Sequence, residues 1–111
     1  MKIVIRSRGF EVTQAMRANL ERGLRFALGR FAARVVVVNV RLSDLNGPRG
    51  GVDKRCQIEV VLRGARDVRV EDVDGDLYVA VARVAERLGR AVARELERRR
   101  ESTAPELTWG G

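Results

Sequence analysis

The stretch "RCQIEVVLRGARDVRVE", Arg55 to Glu71, decides the fold. In its first half Cys56, Ile58, Val60 and Leu62 alternate with Arg55, Gln57, Glu59 and Arg63 to either side of the chain. Strict alternation of this kind marks a strand with one buried face. Arg63 to Arg66 reads as a tight turn, and beyond it Val68 and Val70 alternate with Asp67, Arg69 and Glu71. Two such runs joined by a short turn pair as an antiparallel hairpin.

Working outward, "VVVVNVRL" (Val35–Leu42) is β-branched and reads as a central strand, with Val36, Val38, Val40 and Leu42 expected on one face. The loop "DLNGPRGGVDKRC" joins it to the hairpin. Upstream, Thr13 offers a helix N-cap, and Met16, Leu20, Leu24, Ala27 and Phe31 recur at steps of three and four. That spacing predicts an amphipathic helix ending near Arg34, weakened but not broken by Gly23 and Gly29. Lys2 to Arg6 reads as a short strand. Downstream, Asp72, Asp74 and Asp76 precede a second helix whose buried stripe is Leu77, Val81, Val84, Leu88, Val92 and Leu96. Residues 101–111 lack periodicity and are expected to form a flexible tail.

The expected order is therefore β-α-β-β-β-α, an α+β fold with a four-stranded mixed sheet. The first crossover makes strands one and two parallel. Each strand has one apolar face, so both helices are expected on the same side of the sheet. The chain has 111 residues, enough for one domain, taken as 1–100, that buries about two thirds of its unfolded surface. Aromatic residues are only 5% of the chain, so the core has to be aliphatic.

Charge is the unusual feature. Lys and Arg number 22 against 15 Asp and Glu, and only Lys2 and Lys54 are lysines. Residues 13–34 hold five arginines against Glu21 alone, and residues 77–100 hold seven against Glu86, Glu95 and Glu97. Arg83, Arg87, Arg90, Arg94 and Arg98 step by four, three, four and four, which places them in one stripe flanking the buried face. Residues 67–76 reverse the sign, with five acids against Arg69. An arginine-rich small domain points to a polyanionic partner.

The chemistry of catalysis is poorly represented. Histidine is absent, which removes the commonest general base and metal ligand. Cys56 falls on an inward face and reads as a core residue; being the sole cysteine, it forms no internal disulfide. "DVDGDLY" (Asp72–Tyr78) misses the EF-hand pattern, with Leu77 where the glycine belongs and Arg83 where the acid belongs, and reads as helix capping. The glycine-rich loop lacks the Gly-Lys-Ser/Thr of a phosphate-binding loop. It reads as a hairpin connector, with Arg49 and Lys54 as possible RNA contacts. No catalytic residue, metal, cofactor or small-molecule substrate is expected. The start "MKIVIRSR" has no long apolar run, so a cytoplasmic protein with no membrane partner is expected.

The segments "VNVRLSDLNGPRGGVDKRCQIEVVL" (38–62) and "VEDVDGDLYVAVARVAERLGRAV" (70–92) resemble the family of ribosome hibernation-promoting factors and sigma-54 modulation proteins, which includes the ribosome-associated inhibitors. The resemblance covers about residues 1–98 and rests on the element order, the second and third strands, and the acidic-Leu-Tyr start of the last helix. It implies a fold similar to double-stranded RNA-binding domains and a non-enzymatic translation inhibitor. It also implies binding to rRNA of the small ribosomal subunit, where tRNA and mRNA would sit. The family's basic helix residues correspond to Arg22, Arg25 and Arg30 on the first helix and to Arg83, Arg87, Arg90 and Arg94 on the second. Long members carry a second domain that pairs ribosomes; this chain is expected to be a short form. Two alternatives stand beside it. One is a general double-stranded RNA- or DNA-binding module. The other is a protein-interaction module that has lost ribosome binding and uses the acidic 67–76 edge and the Trp109 tail.

Overall fold

Thr13 opens the first helix as its residue type demands. Its Oγ1 accepts a hydrogen bond from the Met16 N–H at 3.1 Å, satisfying one of the free donors of the first turn. The computed structural model describes residues 1–45 and 53–109, with side chains described up to residue 100. The elements are β1 (Lys2–Arg8), α1 (Gln14–Leu28), a 3-10 turn (Gly29–Phe31), β2 (Val35–Asp44), β3 (Lys54–Leu62), β4 (Val68–Asp74) and α2 (Leu77–Trp109). The loop residues 46–51, Arg49 among them, lie outside the described residues.

The four strands form one sheet in the order β1-β2-β3-β4. β1 runs parallel to β2, with Ile3 beside Val38 and Ile5 beside Val40. β3 is antiparallel to both of its neighbours, pairing Val40 with Ile58 and Ile58 with Val70. α1 and α2 lie on the same side, and α2 packs on β3 and β4. The expected α+β architecture is the observed one.

Between the layers sits an aliphatic core. α1 supplies Leu20, Leu24 and Leu28; β2 supplies Val35, Val38, Val40 and Leu42; β3 supplies Cys56, Ile58, Val60 and Leu62. Val68 of β4 and Ala80, Val84, Leu88 and Val92 of α2 complete it. Phe10 and Phe31 pack against its edge only.

Three local readings need correction. Val36 does not share the inward face: Val35 is 4% exposed and Val36 is 43% exposed. The β2–β3 register shifts between Val35 and Val37, and the extra residue of this bulge moves the alternation by one. α1 does not continue to Arg34. It stops at Leu28, and the chain tightens through the 3-10 turn, an ordinary way to finish a helix that meets a glycine. Arg34 then turns back and donates from Nη2 to the Arg63 carbonyl at 2.9 Å, while the Arg63 N–H donates to the Arg34 carbonyl at 2.8 Å. Finally, the α2 backbone takes in residues 101–109, which the sequence reading gave to a tail. The run Arg90–Glu101 contains neither glycine nor proline, so nothing in it stops the helix.

The helices approach closely at Gly89, where an added Cβ would lie 3.1 Å from the Ala27 carbonyl oxygen. Gly23 has open space in the same position. Gly23→Ala should therefore raise stability by about 0.5–1 kcal/mol through helix propensity. Gly89→Ala should gain nothing or lose stability, because the gain is spent forcing α1 and α2 apart. Denaturant midpoints of the two variants check this; equal stabilisation would mean the helices do not meet at Gly89.

Cys56 is fully buried, and burial, with a smaller contribution from the nearby Asp72 charge, pushes its thiol up from 9.0 to about 12. The native thiol should resist an aromatic disulfide reagent at pH 8 and react fully in guanidinium. The unfolded thiol ionises near its ordinary value while the native one keeps its proton to about pH 12. Stability should accordingly fall as pH rises through that window, and less steeply in Cys56→Ala. Fast labelling of the native protein would contradict the buried placement.

Candidate nucleic-acid interface

With the apolar stripes of both helices committed to the sheet, their arginines face outward. On α1, Arg17, Arg22 and Arg25 are exposed, and Arg30 follows on the 3-10 turn. The Arg30 guanidinium lies over the Phe31 ring, 4.6 Å from its centre, a cation–π contact that fixes its position without neutralising its charge. Arg22 and Arg25 form no ion pair among the described residues. The approach of Gly89 to Ala27 sets the outer face of α1 beside that of α2.

The α2 stripe is more heavily partnered than its sequence suggests. Arg83 Nη1 lies 3.2 Å from Asp74 Oδ1 and 3.6 Å from Asp72 Oδ2. Arg87 Nη2 lies 3.2 Å from Asp72 Oδ2 and donates to the Glu71 carbonyl at 3.0 Å. Arg90 pairs with Glu86 one turn earlier at 3.6 Å, and Arg98 with Glu95 at 3.0 Å. Arg94 has no ion pair among the described residues. Two of these acids, Asp72 and Asp74, come from β4, the strand against which α2 packs. A reading along the helix alone could not see them. These arginines remain 45–64% exposed at the side chain, so each pair is weak, and each cation stays within reach of a stronger anion.

The same pairing gives most acids of the 67–76 run a partner within the fold. Asp72 and Asp74 face Arg83 and Arg87. Glu71 accepts from Arg55 Nε at 2.9 Å. Asp76 caps α2: its Oδ1 accepts from the Tyr78 N–H at 2.9 Å, and its carbonyl accepts from the Ala80 N–H at 3.1 Å. The "DVDGDLY" segment is therefore a capping sequence, as its residue types suggest.

Lys54 is the first residue of β3, at the end of the loop. Its Nζ sits 3.1 Å from Asp44 Oδ2 and 3.2 Å from the buried Asp53, bracing the base of the β2–β3 hairpin. The hydrogen bond to Asp44 raises its pKa above 10.5, so it stays charged at any physiological pH. Arg49, its companion in the sequence reading, lies outside the described residues.

The uncovered face of the sheet is polar and shallow, lined by Val4, Arg6, Asn39, Arg41, Gln57, Glu59 and Arg69. Glu59 accepts from Arg69 Nε at 2.8 Å and from Asn39 at 3.3 Å, and the Arg69 bond first of all holds its carboxyl below the usual range. Arg6 and Arg41 stand side by side in register. Among the described residues, no group of three or more His, Cys, Asp or Glu is arranged to hold a metal, and no helix is long and apolar enough to cross a membrane.

One residue escaped the sequence reading. Phe26 is 92% exposed on the outer face of α1, between Arg22, Arg25 and Arg30. Its position off the Leu20–Leu24–Leu28 stripe was the available signal.

Residues 3–100 match the family described as Sigma 54 modulation protein / S30EA ribosomal protein. No curated protein matches the chain. Among solved structures, the N-terminal domain of Thermus thermophilus Protein Y is 35% identical, with a TM-score of 0.69 over 85% of this chain and 98% of that one. A ribosomal subunit interface protein from Coxiella burnetii is 16% identical, with a TM-score of 0.71 over 85% of this chain and 96% of that one, a likeness of fold alone. With element order, extent of match and identity in agreement, the chain belongs to the Sigma 54 modulation protein / S30EA ribosomal protein family.

Proposed function

We propose that this chain is a non-enzymatic, ribosome-associated translation inhibitor of the hibernation type. In this reading it acts in the cytoplasm and binds small-subunit rRNA, in the channel used by tRNA and mRNA, through the outer faces of its two helices. The observation that carries the reading is the juxtaposition of two arginine-bearing helix faces, with Arg22, Arg25 and Arg94 free of ion pairs among the described residues. Membership of a family named for a ribosomal protein supports the ribosome as partner.

The physical mechanism is phosphate neutralisation. Guanidiniums on a rigid two-helix surface displace counterions from the RNA backbone and fix the protein's orientation without reading sequence. Occupying the channel is then sufficient to inhibit; no bond is made or broken. Arg83, Arg87 and Arg90 have a second part in this scheme. Their pairing with Asp72, Asp74 and Glu86 holds them extended at the surface, and phosphate oxygens can replace the carboxylates at small cost.

The test is cosedimentation with purified small subunits, whole ribosomes and a control RNA duplex at two salt concentrations. Retention with small subunits and ribosomes, weakened by salt, is expected. Arg22→Glu combined with Arg25→Glu should lower that retention more than tenfold with an unchanged circular dichroism spectrum. Arg94→Ala should reduce the salt slope by about one unit. Arg22 and Arg25 are better targets than Arg87, which also ties α2 to β4. Equal affinity for the duplex would make the protein a general nucleic-acid binder, and no binding to either would refute the reading.

A further inference from the structure

We propose that Phe26 is a stacking platform for an unpaired nucleobase, with Arg22, Arg25 and Arg30 gripping the adjoining phosphates; this rests on the rRNA-binding reading and names the ligand at its centre.

Phe26 does nothing for the fold. Phe10 and Phe31 pack against the core edge, whereas Phe26 is 92% exposed. At about 100° per residue it falls nearly opposite the Leu20–Leu24–Leu28 stripe. A single exposed apolar residue is ordinary. Its surroundings are not. Arg22 lies one helical turn before it on the same face, Arg25 adjoins it, and Arg30 lies about one turn beyond. Neither Arg22 nor Arg25 has an ion pair among the described residues, and Arg30 keeps its charge while stacked on Phe31.

A docked protein and a nucleobase ask different things of such a spot. A protein partner needs a contiguous apolar patch with a polar rim. Here the exposed residues around the ring are Arg22, Arg25, Gly29 and Arg30, so the apolar area is one ring wide. A base needs one ring face, and the phosphates on either side of it need cations within reach. That is the arrangement by which proteins hold single-stranded nucleic acid without reading its sequence. Stacked bases within a duplex offer no free face, so the ligand is an unpaired nucleotide in a loop, bulge or single strand.

The test measures affinity for small subunits, for a short single-stranded oligoribonucleotide and for a duplex of equal length. The proteins are the full chain, Phe26→Ala, Phe26→Trp in a Trp109→Phe background, and Arg22→Glu with Arg25→Glu. Phe26→Ala should weaken single-strand and small-subunit binding by roughly 5- to 150-fold and leave duplex binding unchanged. Phe26→Trp should restore affinity, and its emission should be quenched by the single strand and not by the duplex. If the arginine variant loses small-subunit binding while Phe26→Ala keeps single-strand affinity, the stacking proposal fails and the rRNA-binding reading stands. If Phe26→Ala weakens small-subunit binding alone, with no quenching of Phe26→Trp by RNA, the ring docks on protein and the proposal is overturned. If neither variant changes small-subunit binding, both readings fail.

Discussion

The strands of this sheet turn their core side chains to one face, and the rest of the architecture follows from that restriction. Val38, Val40, Ile58, Val60 and Val68 can be covered from one side. Both helices are therefore forced onto that side, and their own stripes complete the core. The solution is economical because the crossover from β1 to β2 already delivers α1 there, and the chain leaving β4 delivers α2. Once the helices are side by side, their outer faces become one surface. A basic residue on either helix then adds to the same electrostatic field.

Charge is partitioned around this scaffold by distance along the fold rather than along the chain. The acids of β4 precede α2 in the chain, yet they act on arginines about two to three turns into that helix, Arg83 and Arg87. Each pair is exposed and worth little by itself. Collectively they relieve the repulsion of a helix face that carries an arginine every three or four residues. A strongly basic helix face is thus kept compatible with the folded chain. α1 receives no comparable relief, and its Arg22 and Arg25 form no ion pair among the described residues.

How far the sequence reveals this depends on the range of the interaction involved. Periods of two and 3.6 are local, and they identify the strands, both helices and the α+β order. The Thr13 and Asp76 caps are local too, and their side chains sit where the residue types suggest. The bulge at Val36 is set by pairing with β3 across the sheet, so four consecutive valines gave no phase to read. α1 stops at Leu28, where the chain tightens into a 3-10 turn, and the contact that holds the residues after it joins Arg34 to Arg63, 29 residues apart in sequence. At the site, the arginines of both helices were legible as a pattern, whereas their partners on β4 were not. Lys54 looked like a loop cation, but its two carboxylates, Asp44 and Asp53, come together only when the hairpin closes.

The geometry also constrains the kind of recognition the surface can perform. The arginines project from two packed helices whose backbones are held by an aliphatic core, so their points of attachment keep a fixed spacing. The shallow concavity on the opposite face of the sheet is partly filled by the Glu59–Arg69 and Glu59–Asn39 bonds. Fixed spacing without enclosure favours a large partner with its own regular charge, matched over many weak contacts. Specificity among such partners then has to come from shape and from features that interrupt the backbone pattern. An exposed aromatic ring set among those cations is suited to detect an interruption of that kind, because it rewards a base that is free to leave its stack.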